Sequence, residues 1–346
     1  MRPSVPGLLL AGLLVGLGAV PASAEPAAPV AACTMSDKRL PELSGMVADG
    51  GHWYAINDGG TKSTVFVLSK QCKVERLILG PTDPYDVEDL ARASDGTFWL
   101  SDTGDNDRQR GTVALIALTP AGKTTLYRLT YPDGAHDTEA LLLDKANVPY
   151  LITKSLLGTA DIYRPAAALA SPGPTALEHV GAIRLSSTNT PGGPVPGVVG
   201  SVLVTGAAST VDGSVVALRT YTDAYLYPVL DGDLLAALGR QPTRVPLPNE
   251  QQGEAIAFEP DGALVSGSEG VGQPIRIVAG AAGLVAPKPE PAPAPAAAGG
   301  RNTADSGRSG DAPGGKDGLP TLPAIGVSVA IVAVAALLLR RRRRAR

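Results

Sequence analysis

Glu88, Glu139 and Glu254 each open a short apolar segment, and a charged residue closes the companion segment 14 or 15 residues later: Asp102, Lys154 and Glu269. Ser44 and Thr205 hold the opening place in two further copies, which close at Asp58 and Arg219, 14 residues on. Carboxylates gathered in one opening suit a hard cation such as Ca²⁺, which takes six to eight oxygen ligands in flexible geometry. Such an ion polarises a phosphoryl or ester oxygen and lowers the pKa of bound water. Adjacent carboxylates also raise one another's pKa, which suits a general base. On this chemistry Glu88, Glu139 and Glu254 are the candidate catalytic residues, and Asp58, Asp102, Asp105 and Glu269 the candidate calcium ligands. Lys154 and Arg219 are candidates to hold an anionic ligand. The same acids equally suit backbone caps in tight turns, or ion pairs with Lys154 and Arg219. The run Asp105-Asn106-Asp107 lacks EF-hand spacing. No Gly-x-Ser-x-Gly elbow, Walker loop or His-Glu-x-x-His occurs. Of the three histidines only His136, in His136-Asp137-Thr138-Glu139, has suggestive neighbours, and a solvated turn accounts for it equally well.

Positioning these residues requires strands. Glu88-Asp89-Leu90-Ala91, the turn Ser94-Asp95-Gly96 and Phe98-Trp99-Leu100-Ser101-Asp102 read as strand, turn, strand. Glu254-Ala255-Ile256-Ala257, Pro260-Asp261-Gly262 and Leu264 to Glu269 repeat the pattern, with weaker copies from Ser44, Glu139 and Thr205. Two further β-rich runs follow each copy, as at Val113 to Leu118 and Thr125 to Leu129, giving four strands per unit. Starts at 44, 88, 139, 205 and 254 lie 44, 51, 66 and 49 residues apart, the spacing of β-propeller blades. The fold class is therefore all-β, a propeller of five blades, or of six if the long interval after 139 holds a degenerate one. A β-sandwich is the rival, without reason to repeat this motif. The fifth copy is short of an outer strand, which the segment Ala31 to Met35 can supply. Trp53 and Trp99 fall within strands and read as blade packing.

The stretches Glu88 through Asp102-Thr103-Gly104-Asp105-Asn106 and Glu254 through Glu269 resemble NHL-type propeller repeats. More closely, they resemble the bacterial propellers described as phytase-esterase-like or SdiA-regulated, over roughly residues 40 to 280. The resemblance implies the fold and leaves the reaction open, since such propellers include ligand-binding modules, lactonases and calcium-dependent phosphatases.

The two ends place the domain. Arg2, an apolar run from Leu8 to Val20 and Ala22-Ser23-Ala24 make a signal peptide, residues 1–24, cleaved after Ala24. Residues 287–318, dense in Pro, Ala, Gly and Ser, make a disordered stalk between the 25–286 ectodomain and the membrane. Residues 319–339 carry no charge and are long enough for a transmembrane helix. The basic tail 340–346 fixes the C-terminus on the cytoplasmic side. Leu322-Pro323-Ala324-Ile325-Gly326 also resembles a sortase signal, but Ile325 stands where such signals carry the Thr that is cut. The expectation is a single-pass protein of the cell membrane with an extracellular propeller. The whole chain carries net charge −3, and setting aside the seven arginines of the two ends leaves −10. Such a surface excludes nucleic acid as a partner and suits cations or cationic ligands. Cys33 and Cys72, the only cysteines, pair as a disulfide in an oxidising compartment. The expected function is a monomer that binds an extracellular ligand or protein on its acidic channel face, with Ca²⁺ as the candidate cofactor. The alternatives are a metal-dependent hydrolase of phosphate esters, carboxylic esters or lactones, and a metal-free docking scaffold at the cell surface.

Overall fold

The chain folds as a succession of antiparallel hairpins. In the computed structural model the described residues are 25–195 and 197–285. The expected signal peptide, stalk, transmembrane helix and basic tail lie outside them. Among the described residues no helix is long and apolar enough to cross a membrane.

After β1 (Val30–Thr34), the strands β2 (Leu43–Ala48), β3 (Trp53–Asn57), β4 (Thr64–Leu68) and β5 (Val74–Leu79) pair in chain order as one four-stranded sheet. The pattern repeats with β6 (Val87–Arg92), β7 (Phe98–Asp102), β8 (Val113–Leu118) and β9 (Thr124–Thr130). It repeats again with β10 (Thr138–Leu143), β11 (Pro149–Thr153), β12 (Thr159–Pro165) and β13 (Thr175–Arg184). A fourth round comprises β14 (Val204–Ser209), β15 (Val215–Thr220), β16 (Asp223–Pro228) and β17 (Thr243–Pro246). In the last, β18 (Gly253–Phe258), β19 (Leu264–Ser268) and β20 (Pro274–Val278) take β1 as their outermost strand. The outer strands β9 and β13 share a short parallel pairing, so the second and third rounds run on as one eight-stranded sheet. The helix α1 (Leu234–Leu238) sits between β16 and β17, N-capped by the Asp233 side chain.

The first strands β2, β6, β10, β14 and β18 lie side by side in that order, and β18 returns to β2. This is the radial plan of a β-propeller. The long interval after residue 139 is taken up by the ten-residue β13 and the segment 185–203; among the described residues it holds no further four-stranded sheet. Because neighbouring sheets stack face to face, middle strands are buried on both sides, and β8, Val-Ala-Leu-Ile-Ala-Leu, is buried throughout. Tyr54, Ile56 and Val65 of the first sheet pack on Leu90, Phe98 and Ile116 of the second. Trp53 and Phe66 pack on Ala255, Val265 and Ile275 of the last. The inner strands approach so closely that a Cβ at Gly45 would lie 2.4 Å from the Leu90 nitrogen.

Strand β1 closes the ring as expected from Ala31 to Met35. Cys33 on β1 is disulfide-bonded to Cys72 in the β4–β5 turn, with Cα atoms 5.8 Å apart. The bond therefore clasps the last sheet to the first across a separation of 39 residues. On the chain-entropy relation a loop of that size is worth about 4 kcal/mol. We expect Cys72→Ser to lower the urea midpoint accordingly and to speed amide exchange in β1. Equal midpoints for the variant and the oxidised protein would remove the clasp from the account.

Candidate functional site

The acidic end of the channel is built by five equivalent bulges. In every inner hairpin the register shifts just after the first pair: between Leu43 and Met46, Val87 and Asp89, Thr138 and Ala140, Val204 and Gly206, and Gly253 and Ile256. A bulge leaves a residue out of the ladder and re-aims its side chain. The residues in that place are Ser44, Glu88, Glu139, Thr205 and Glu254, all at most 1% exposed. The expected equivalence of Glu88, Glu139 and Glu254 is thus the recurrence of one backbone defect.

Glu88 and Glu139 are joined by Asp137, the residue just before β10: each offers a carboxylate oxygen within 4.8 Å of the others. Asp137 is held by the Asp105 amide, which donates to its Oδ1 at 2.9 Å. Tyr131 donates to or accepts from Thr138 at 2.7 Å, and Tyr163 bonds Asp133 at 2.8 Å and His136 at 3.0 Å, so the whole approach to Asp137 is tied down. Lys154 Nζ donates to Glu139 Oε1 at 2.5 Å and lies 5.2 Å from the centre of the Tyr221 ring. Burial pulls the Lys154 pKa down, but the surrounding Glu139, Tyr221, Asp137 and Glu254 outweigh it, so the ammonium is held charged well above its ordinary value. Burial, with Glu254 and Glu139 nearby, pushes the Tyr221 hydroxyl up and keeps it neutral.

The remaining candidates occupy other places. Strand register makes Asp58 equivalent to Lys154 and Glu269, but sets Asp102 one residue and Arg219 two residues earlier than that position. The 14-residue spacing misses this because the hairpins differ in length. Asp102 Oδ1 accepts from the Asp86 amide at 2.9 Å and from Arg110 at 3.1 Å. Asp105 caps its own loop, accepting from the Gln109 and Arg110 amides at 2.9 and 2.8 Å. Asp58 and Glu269 bind through their backbones, Asp58 between Glu42 and Val87, Glu269 to Gln252. Arg219 is fully buried, paired with Glu250 and donating to the Ala255 carbonyl at 2.7 Å. Gly253 makes room for it: a Cβ there would stand 1.9 Å from the guanidinium. Glu254 stands beside Lys154 and accepts from Gln252 at 3.4 Å.

Two carboxylates escaped the spacing argument. Asp137 was hidden behind His136, the more conspicuous neighbour. Asp89 takes the place held elsewhere by Gly45, Ala140, Gly206 and Ala255. Where those residues are small, Asp89 reaches inward: Oδ1 accepts from its neighbour Leu90 at 2.8 Å, and Oδ2 from Leu141 on β10 at 2.8 Å and Ala207 on β14 at 3.0 Å. This one side chain ties three inner strands together below the Glu88–Asp137–Glu139 cluster.

The sequence matches no family model and no curated protein. Solved structures with a similar arrangement include virginiamycin B lyase from Staphylococcus aureus, 14% identical with a TM-score of 0.35, the match covering 66% of this chain and 64% of the lyase. A gluconolactonase from Xanthomonas campestris is 13% identical at a TM-score of 0.40, with 75% and 86% covered. The β-propeller domain of Swd1 from Myceliophteria thermophila is 12% identical at 0.37, with 72% and 99% covered. This chain therefore spans less than two thirds of the length of the lyase.

Proposed function

We propose that the chain is an exported, membrane-tethered, five-bladed propeller that binds a divalent cation, calcium first, in its acidic mouth and uses it to hold an extracellular ligand. The observation that carries this is the convergence of Glu88, Asp137 and Glu139, whose oxygens stand within 4.8 Å of one another in a buried setting. Oxygen donors alone, with no His or Cys, suit a hard cation and leave coordination positions for water and ligand. Lys154 beside the cluster balances part of its charge and offers a second contact to an anionic or carbonyl group.

Calcium titration of the whole chain in lipid nanodiscs tests the reading. Wild type is expected to bind one ion with micromolar affinity, in the range of sensor sites, and Glu139→Gln to weaken binding at least tenfold while remaining folded. Absence of binding by folded wild type would sink the proposal and leave a metal-free docking propeller.

One feature favours hydrolysis as a second reading. A lysine held charged next to the cluster is placed to stabilise negative charge developing on an ester or lactone carbonyl, while a cation there would polarise the same oxygen. On this reading Lys154→Met abolishes turnover of a lactone or aryl ester and leaves calcium binding in place; calcium-independent turnover would refute it.

A further inference from the structure

The opposite end of the channel, where the inner strands finish and turn back, holds a separate cavity of about 510 Å³. Asp89 and its three amide contacts stand between it and the acidic mouth. Val47, Ala48, Ala91 and Leu143, each partly exposed, give it apolar surface, backed by the buried Met46, Leu90, Leu141 and Phe258. The volume falls in the range of small-molecule sites, about 300–1,000 Å³.

The rim decides what kind of molecule fits. Three aspartates stand on it, and each is spent on its own turn. Asp49 accepts from the Gly51 and His52 amides and from Tyr54. Asp144 accepts from Ala146 and Val148, and Asp212 from Thr210 and Ser214. Arg92 is paired with Asp49 at 3.4 Å and lies over the Tyr54 ring at 4.9 Å. Lys145 is different: it is exposed, its stem runs along Gly213 and Gly232, and among the described residues its ammonium makes no ion pair or hydrogen bond. An apolar chamber with one uncommitted donor at its lip suits an apolar body ending in a hydrogen-bond acceptor. The three rim carboxylates disfavour a carboxylate head and leave an uncharged carbonyl as the better fit.

We propose that this cavity binds an uncharged acyl ester, its apolar body against Val47, Ala91 and Leu143 and its carbonyl on Lys145. The site is independent of the acidic mouth and of the cation reading.

The test uses the whole chain in nanodiscs and a decanoate methyl ester carrying a photoreactive diazirine, with labelled peptides mapped by mass spectrometry. Labelling is expected to concentrate on the segments 204–213 and 253–260, to fall about tenfold in Lys145→Gln, and to disappear in Ala208→Phe and Ser209→Phe, which fill the chamber from its wall and from its lip. The free acid and the matching amine are expected to label less than the ester. Undiminished labelling of those segments in both filled variants, each with a cooperative melt, would overturn the proposal. So would labelling of wild type spread without preference over the chain, or stronger labelling by the acid or amine than by the ester.

Discussion

Asp89→Ala is expected to be among the most destabilising single changes in the domain, about 3–5 kcal/mol, because it leaves amides of Leu90, Leu141 and Ala207 without their acceptor at about 1–3 kcal/mol each. The loss should appear in chemical denaturation as a lower midpoint with an unchanged slope. Asp89→Asn keeps the shape but turns an amide NH₂ toward at least one of the three donors, so it should recover only part of the stability. The carboxyl has a pH signature as well. Burial, reinforced by Glu139, pushes its pKa well above the ordinary 3.8, although the three amides oppose the shift. As pH rises above 3.8 the unfolded chain releases this proton while the folded domain still holds it, so the group's contribution to stability declines until the folded pKa is passed. Relative to Asp89→Asn, wild type should therefore lose stability with rising pH across that window. A constant difference between the two proteins over the window would show that Asp89 is ionised throughout and that the amides dominate.

How much of this was legible in the sequence depended on periodicity. The alternation in Glu88 to Asp102 and its copies reveals strand-turn-strand units, because side chains of a strand alternate and the turns place Gly or Asn where φ is positive, as at Gly96, Asn147 and Gly262. Their recurrence reveals a ring, and the missing outer strand of the last unit pointed to Ala31–Met35, where β1 lies. The Cys33–Cys72 pair was legible on a separate ground, two cysteines alone in a chain read as exported. Site geometry was less legible because it depends on a bulge, which shifts register without any mark in residue type. Counting 14 residues forward from the bulge residues therefore reached Asp102 and Arg219, one and two residues short of the place that Asp58, Lys154 and Glu269 share. Arg219 shows the consequence: it is a cation of the right type near the channel, yet its guanidinium is committed to Glu250 and Ala255 in full burial. Asp137 belongs to a loop, and loops deliver residues by tertiary contacts such as Asp105 and Tyr163, which have no local period.

Gly104→Ala should separate cation binding from folding more sharply than any carboxylate change. A Cβ at this position would lie 2.1 Å from Glu88 Oε1 and 2.5 Å from Asp86 Oδ2, so the glycine's missing side chain is the space into which both carboxylates point. The two oxygens are consequently no more than about 4.6 Å apart, which adds Asp86 to the surroundings of the Glu88–Asp137–Glu139 cluster. Gly104 is outside the left-handed region, so alanine strains no backbone there. What the methyl meets is the ends of two acidic side chains, which rotate aside at a cost below about 1.5 kcal/mol each. The expected result is a nearly unchanged melt and calcium affinity reduced by about two orders of magnitude, roughly 2.7 kcal/mol. Glu139→Gln acts differently: it keeps an acceptor oxygen but removes the negative charge paired with the buried Lys154 ammonium, so it should weaken binding and stability together. If Gly104→Ala kept wild-type calcium affinity, the ion would have to lie away from Glu88, and the cluster it forms with Asp137 and Glu139 would be an arrangement of hydrogen bonds and one ion pair instead.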